Sequence, residues 1–197
     1  MSELPRPGRL RNELVEPIVR RNVVALKEAG FAIPMKAMAV IKNMAPGKAF
    51  TFPDGTVVKQ EDAVEPPRKG RKIVYCGDTA DSRALKELAG DADVVVHECT
   101  NAYLPGIDGK DATLRDVTRD AIVHGHSTPQ IAADFCRRVN ARRLVLNHFS
   151  ARYKGDVSMD SLSIMLRIEN QAMKKSGLNE TQVAAAWDFM VLPIPPH

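Results

Sequence analysis

From Lys72 onward, apolar and polar positions alternate between two regimes. Short apolar runs at Lys72 to Cys76, Val94 to Val96, Arg143 to Leu146 and Ala185 to Leu192 have the length and β-branched content of buried strands. Between them the apolar positions recur at helical spacing. Asp81 to Ala89 places Ala84, Leu85 and Leu88 on one face, with Gly90 as its stop. Ser127 or Thr128 caps a second helix with Pro129 in its first turn and a stripe of Ile131, Ala132, Phe135, Cys136 and Val139. Ser158 to Lys174 repeats the period through Leu162, Met165, Leu166 and Met173. The order β-α-β-α-β-α-β predicts an α/β unit, one sheet with helices covering a face.

The first seventy residues follow another grammar. A Pro-rich lead-in (Pro5, Pro7) reads as extended chain, Val15 to Ala29 as one helix stopped by Gly30. Phe50-Thr51-Phe52 and Thr56-Val57-Val58 flank Pro53-Asp54-Gly55, a hairpin signal because Asp-Gly supplies the positive φ of a tight turn. Pro66-Pro67-Arg68-Lys69-Gly70 then interrupts the chain. Residues 1–70 are therefore expected to form an adapter segment and residues 71–197 the α/β unit. Thr100 to His124 is expected to be irregular.

Composition changes this picture little. With 197 residues, 44% hydrophobic and 26% charged, the chain has ordinary globular make-up. A net charge of +4 is compatible with a polyanionic partner and does not demonstrate one. Cys76, Cys99 and Cys136 form no CxxC pair, which argues against a disulfide framework or a thiolate zinc knuckle and for a reducing, intracellular compartment. Mitochondrion and cytoplasm stay open. No apolar stretch approaches the roughly 20 residues that span a bilayer, so no membrane partner is expected. The N-terminus also lacks the apolar core of a secretory signal.

Chemistry enters at the ends of the apolar runs. Gly77-Asp78-Thr79 follows the first, His97-Glu98-Cys99-Thr100 the second and Asn147-His148 the third, while His126-Ser127-Thr128 stands at the mouth of a helix. All belong at the carboxyl edge of the sheet, where open α/β sheets assemble their sites. Asp78 alone could be a turn former; beside His148 it is a candidate metal ligand, a carboxylate and an imidazole being donors that zinc accepts. Glu98 and His126 could merely brace loops, or form a carboxylate–imidazole proton relay. Ser150 and Arg152 have the hydroxyl and charge to bind a substrate phosphate, surface placement being the alternative for the arginine. Cys76 and Cys99 lack an obvious local base and read as packed small hydrophobes.

These motifs resemble those of ribonuclease Z, the tRNA 3′-processing endonuclease of the metallo-β-lactamase superfamily. Gly77-Asp78-Thr79 is similar to that family's aspartate motif, and His97-Glu98-Cys99-Thr100 to its His-Glu-Ala-Thr with Cys for Ala. His126-Ser127-Thr128, Asn147 to Tyr153 and Asp188-Phe189 resemble its later motifs. Arg6 to Leu10, the Pro53-Asp54-Gly55 hairpin and Lys69-Gly70-Arg71 fall in the family's order. The likeness implies the C-terminal half of an αββα sandwich, one mixed sheet with helices on one face. Asp78 would bridge two zinc ions and His148 ligate one, with Glu98 and His126 assisting proton transfer during hydrolysis of a pre-tRNA phosphodiester.

The family's His-x-His-x-Asp-His motif has no counterpart among the five histidines. Asp78 and His148 alone are too few for a dinuclear site, so the isolated chain is expected to hold zinc weakly or not at all. A half-sandwich also exposes an apolar sheet face, so a partner is expected: a chain bearing the N-terminal half, with tRNA or another RNA as substrate. The rival reading is a pseudoenzyme serving as a structural subunit of a ribonucleoprotein such as a mitochondrial ribosome.

Overall fold

The computed structural model describes residues 1–196, which divide into two compact units: Leu4–Gly70 with Pro196, and Met1–Glu3 with Arg71–Pro195. Among the described residues no helix is long and apolar enough to cross a membrane.

In the smaller unit the helix expected from Val15 to Ala29 is two helices, α1 (Asn12–Arg21) and α2 (Val23–Glu28), separated at Asn22. The cause is a side chain. Buried Asn22 donates to Ile18 O (2.9 Å) and Asp54 Oδ2 (2.9 Å), and its Oδ1 accepts from Asp54 N (3.1 Å). Helix continuity is thus exchanged for a polar latch onto a hairpin tip. Gly30, at φ +96°, ends α2 in a Schellman motif with Phe31 N bonded to Leu26 O and Gly30 N to Lys27 O. The unforeseen helix α3 (Lys36–Asn43) follows, then the hairpin β1 (Ala49–Thr51) and β2 (Val57–Lys59), whose turn holds Gly55 at φ +82°, and the single turn α4 (Gln60–Ala63). Val15, Val19, Leu26, Ile41 and Phe52 form the core. The lead-in is extended as expected and pairs antiparallel through Arg6–Arg68 and Leu10–Val64.

In the larger unit four strands, β3 (Ile73–Cys76), β4 (Val94–Glu98), β5 (Leu144–Asn147) and β6 (Val183–Ala185), lie in that spatial order. Every pairing among these four strands is parallel, and the Ser2–Lys72 bridge adds antiparallel pairing just ahead of β3, so both kinds of pairing occur as expected of a mixed architecture. Parallel neighbours need crossovers, and the chain supplies them as α5 (Lys86–Ala89), α6 (Leu114–Val123), α7 (Pro129–Arg138) and α8 (Met159–Ser176). Register aligns Val74, Val95, Leu144 and Val183, then Cys76, His97, Leu146 and Ala185, on one face. That face shares a core with Ala132, Phe135 and Cys136 of α7 and with Ile168 and Ala172 of α8. The other face is less covered, with Tyr75 66% exposed.

Three expectations are corrected. Asp81 to Ala89 is a 3₁₀ turn (Arg83–Leu85) followed by the one-turn α5; Leu88 is exposed, because Ser82 turns inward to His97 and leaves only Ala89 to bury. Thr100 to His124 contains α6, started by a capping box between Thr113 and Asp116. The last strand stops at Ala185, and Trp187, Phe189 and Val191 beyond it are exposed.

Candidate metal and proton-relay site

The ends of β3, β4 and β5 bring the polar motifs to one edge. Val94, Val95 and Val96 bury β4 and carry Glu98 to its last position, opposite Asn147 of β5. A fully buried carboxylate stands only where donors surround it. Oε1 accepts from Ser127 N (2.8 Å) and Thr79 N (3.2 Å); Oε2 accepts from Thr100 N (2.9 Å) and Thr100 Oγ1 (3.0 Å). Glu98 thereby gathers the segment after β3, the segment after β4 and the entry to α7. Its Oε1 also lies 3.3 Å from His126 Nδ1. That contact orients the imidazole and leaves its Nε2 without a protein partner among the described residues.

His148, directly after β5, has φ +55°, a left-handed conformation uncommon for a residue with a Cβ. Thr100 explains how its ring is held. The Thr100 hydroxyl is 2.9 Å from His148 Nδ1 and has one proton, which the Glu98 carboxylate claims most strongly. Its oxygen therefore accepts Nδ1–H, and the network requires the tautomer with a lone pair on Nε2. Nε2 faces Asp78 Oδ1 at 3.2 Å, both side chains being about half exposed. Two electron-pair donors this close call for a shared proton or a cation between them.

Glu98, His126 and His148 place ligand atoms within 4.8 Å of one another. Distance alone makes Glu98 part of that group, but its oxygens are already occupied by hydrogen bonds. The donors free to meet a cation are His148, Asp78 and His126, whose ring centroid is 5.5 Å from that of His148. Asp78, Glu98, His126 and His148 are thus together.

Ser150 and Arg152 stand differently. Ser150 N donates to Thr100 O (2.9 Å), and its hydroxyl oxygen accepts a long bond from Arg152 N (3.4 Å). Arg152 donates to Asp108 (2.6 Å), to Ala102 O (2.7 Å) and to the Tyr153 hydroxyl (2.6 Å). Asp108 matches its charge, so this arginine clamps the 102–108 loop where phosphate binding was expected. His97 points into the helix-covered core, its Nδ1 donating to Glu98 O (2.8 Å) and its Nε2 meeting Ser82 Oγ; burial pushes its pKa down. The three cysteines are buried, which raises each thiol pKa, that of Cys136 to about 12, and they pack as small hydrophobes. Sequence reading missed Thr100 as the link between Glu98 and His148. A Thr two positions after the carboxylate was the available signal.

A family model described as a beta-lactamase superfamily domain matches residues 63–149. Ribonuclease Z of Bacillus subtilis (strain 168) is 34% identical over 156 residues, covering 79% of this chain and 43% of the relative. Zinc phosphodiesterase ELAC protein 1 of Bos taurus is 34% identical over 197 residues, 98% of this chain and 46% of the relative. Among solved structures, the short form of human tRNase Z superposes with a TM-score of 0.41 at 32% identity over 71% of this chain and 37% of its own. The chain spans somewhat less than half the length of the curated relatives it matches.

Proposed function

This chain is a ribonuclease Z-like protein of the metallo-β-lactamase superfamily, and we propose that it supplies one share of a zinc phosphodiesterase site for tRNA 3′-end processing. The observation that carries this reading is the Glu98 hub, which holds His126 on one side and, through Thr100, the Asp78–His148 pair on the other. Asp78 and His148 fit zinc by donor type, and the network leaves the ligating nitrogen of His148 unprotonated. Bound there, zinc would lower the pKa of a water and polarise a phosphoryl oxygen.

The chain's own residues handle the proton. With Nδ1–H held by Glu98, neutral His126 carries a lone pair on Nε2 and, once protonated there, can return that proton to the leaving oxygen. The Ser150 hydroxyl remains the candidate phosphate donor. Asp78 and His148 are fewer than the four ligands of one zinc ion, so the remainder would come from a half carrying the His-x-His-x-Asp-His motif, which lies outside residues 1–197. Tyr75, 66% exposed on the sheet face opposite the α7–α8 core, marks where such a half would pack.

Native co-purification, metal analysis and cleavage of a 3′-extended tRNA test this. A complementary chain, zinc and cleavage are expected, with Asp78→Ala abolishing cleavage while the complex stays assembled. Cleavage that survives Asp78→Ala would overturn the metal assignment. A native complex with neither zinc nor such a chain would sink the enzyme reading and leave the structural subunit of a ribonucleoprotein.

A further inference from the structure

The charge of +4 is not spread evenly. Leu4–Gly70 holds twelve Lys and Arg against seven Asp and Glu, an excess of five; the rest holds sixteen against seventeen. Three of the seven acids are already matched, Glu16 by Arg20, Asp54 by Arg21 and Glu65 by Arg68. On this small unit a groove of about 340 Å³ is lined by Arg9, Leu10, Asn12, Met38, Ala39 and Lys42, with no acid among them. Arg9 and Lys42 are exposed, and their side chains make no ion pair or hydrogen bond among the described residues.

We propose that this groove is a docking site for the phosphodiester backbone of RNA, separate from the residues at the carboxyl edge of the sheet. Two unmatched cations attract phosphate and release counterions when it arrives. The Asn12 carboxamide both donates and accepts, as a ribose 2′-hydroxyl or a base edge requires. Leu10, Met38 and Ala39 offer an apolar lining to a sugar or base, and the volume is near the lower end of ligand pockets, room for about one nucleotide. The choice of RNA over another polyanion rests on the RNA-processing reading above; the cationic groove does not.

The test is equilibrium binding of the whole chain to a labelled single-stranded RNA of about a dozen nucleotides, across a salt series and without any measurement of cleavage. Arg9→Gln with Lys42→Gln should weaken binding about tenfold near 0.1 M salt and flatten the log K against log salt slope by about 1.4, two phosphate contacts' worth. Lys86→Gln with Lys174→Gln removes equal charge from exposed positions of the larger unit and should change affinity less than about twofold. Each groove substitution made singly should give about half the slope change. Far-ultraviolet circular dichroism melts report whether the variants fold, and Arg9→Lys with Lys42→Arg, which keeps both charges, should bind within about twofold of the parent. Equal losses from the two pairs, or a groove pair that binds like the parent at every salt concentration, would overturn the site. Polyglutamate bound more tightly than RNA through Arg9 and Lys42 would assign the groove to an acidic protein and overturn RNA. Because cleavage is not read, failure of the nuclease reading would leave this outcome standing.

Discussion

Thr100 has one hydroxyl proton and three acceptors within reach, Glu98 Oε2, His148 Nδ1 and His148 O. Giving that proton to the carboxylate leaves the lone pair of the His148 ring on Nε2, the atom that faces Asp78. Thr100→Val keeps the shape and removes the link, so ¹⁵N shifts of the His148 ring should change from one tautomer to a mixture, and zinc affinity of a complemented complex should fall roughly 10–100-fold. An unchanged tautomer would show that Thr100 does not set it. His97 makes a different prediction. Its folded pKa is depressed by burial, whereas the unfolded chain takes up the proton near pH 6.5. The associated stability is fully present above about pH 6.5 and is lost as pH falls through the lower folded value. Relative to His97→Gln, the parent should lose stability between about pH 7 and pH 5 in urea unfolding; a constant gap across that window would contradict the assignment. Both histidines were visible as candidates in one motif cluster. Their opposite roles were not, because role depends on which face of the sheet each side chain takes.

Among elements, α7 was the most legible, since its stripe, Pro129 and the preceding Ser-Thr all point to the same helix and Ala132, Phe135 and Cys136 are buried as read. For α8 the existence was legible and the buried face was not. Ser161, Ile168 and Ala172 are buried while Leu162 and Leu166 are largely exposed, because small residues permit close packing against Ala132 and Ala133 of α7. The helix α6 offers almost no stripe, burying only Ala121, while α3 carries a short one through Ala37, Met38 and Ile41 between Pro34 and Pro46. Close backbone approach is another feature that periodicity cannot show. A Cβ at Gly8 would sit 1.6 Å from Glu65 O, whereas one at Gly109 would meet nothing within 4 Å. Gly8→Ala should therefore destabilise the smaller unit by about 1–3 kcal/mol in denaturant unfolding, while Gly109→Ala should be near neutral. Equal effects at the two sites would refute the close-approach account.

For the whole molecule, Tyr75 on the sheet and the tail side chains Trp187, Phe189 and Val191 are exposed apolar side chains of the kind that mark an interaction site, whereas Val94 and Val145 on the same sheet face as Tyr75 are buried. The chain has a single tryptophan, 69% exposed, so adding a complementary half should shift its emission to shorter wavelength; unchanged emission in a verified complex would place the interface elsewhere. The sequence by itself determined the order of the four parallel strands and of α7 and α8 among them, because alternation of short apolar runs and helical stripes is a local property. It also placed Asp78, Glu98 and His148 at one sheet edge, because residues at the ends of parallel strands emerge on the same side, with His126 at the entry to α7. Only the tertiary structure decided that Glu98 is a saturated hub, that Thr100 couples it to His148 and that Arg152 is committed to Asp108. Those contacts join side chains far apart in the chain across a few ångströms, and hydrogen-bond partners are chosen by that distance and by burial, neither of which residue spacing records.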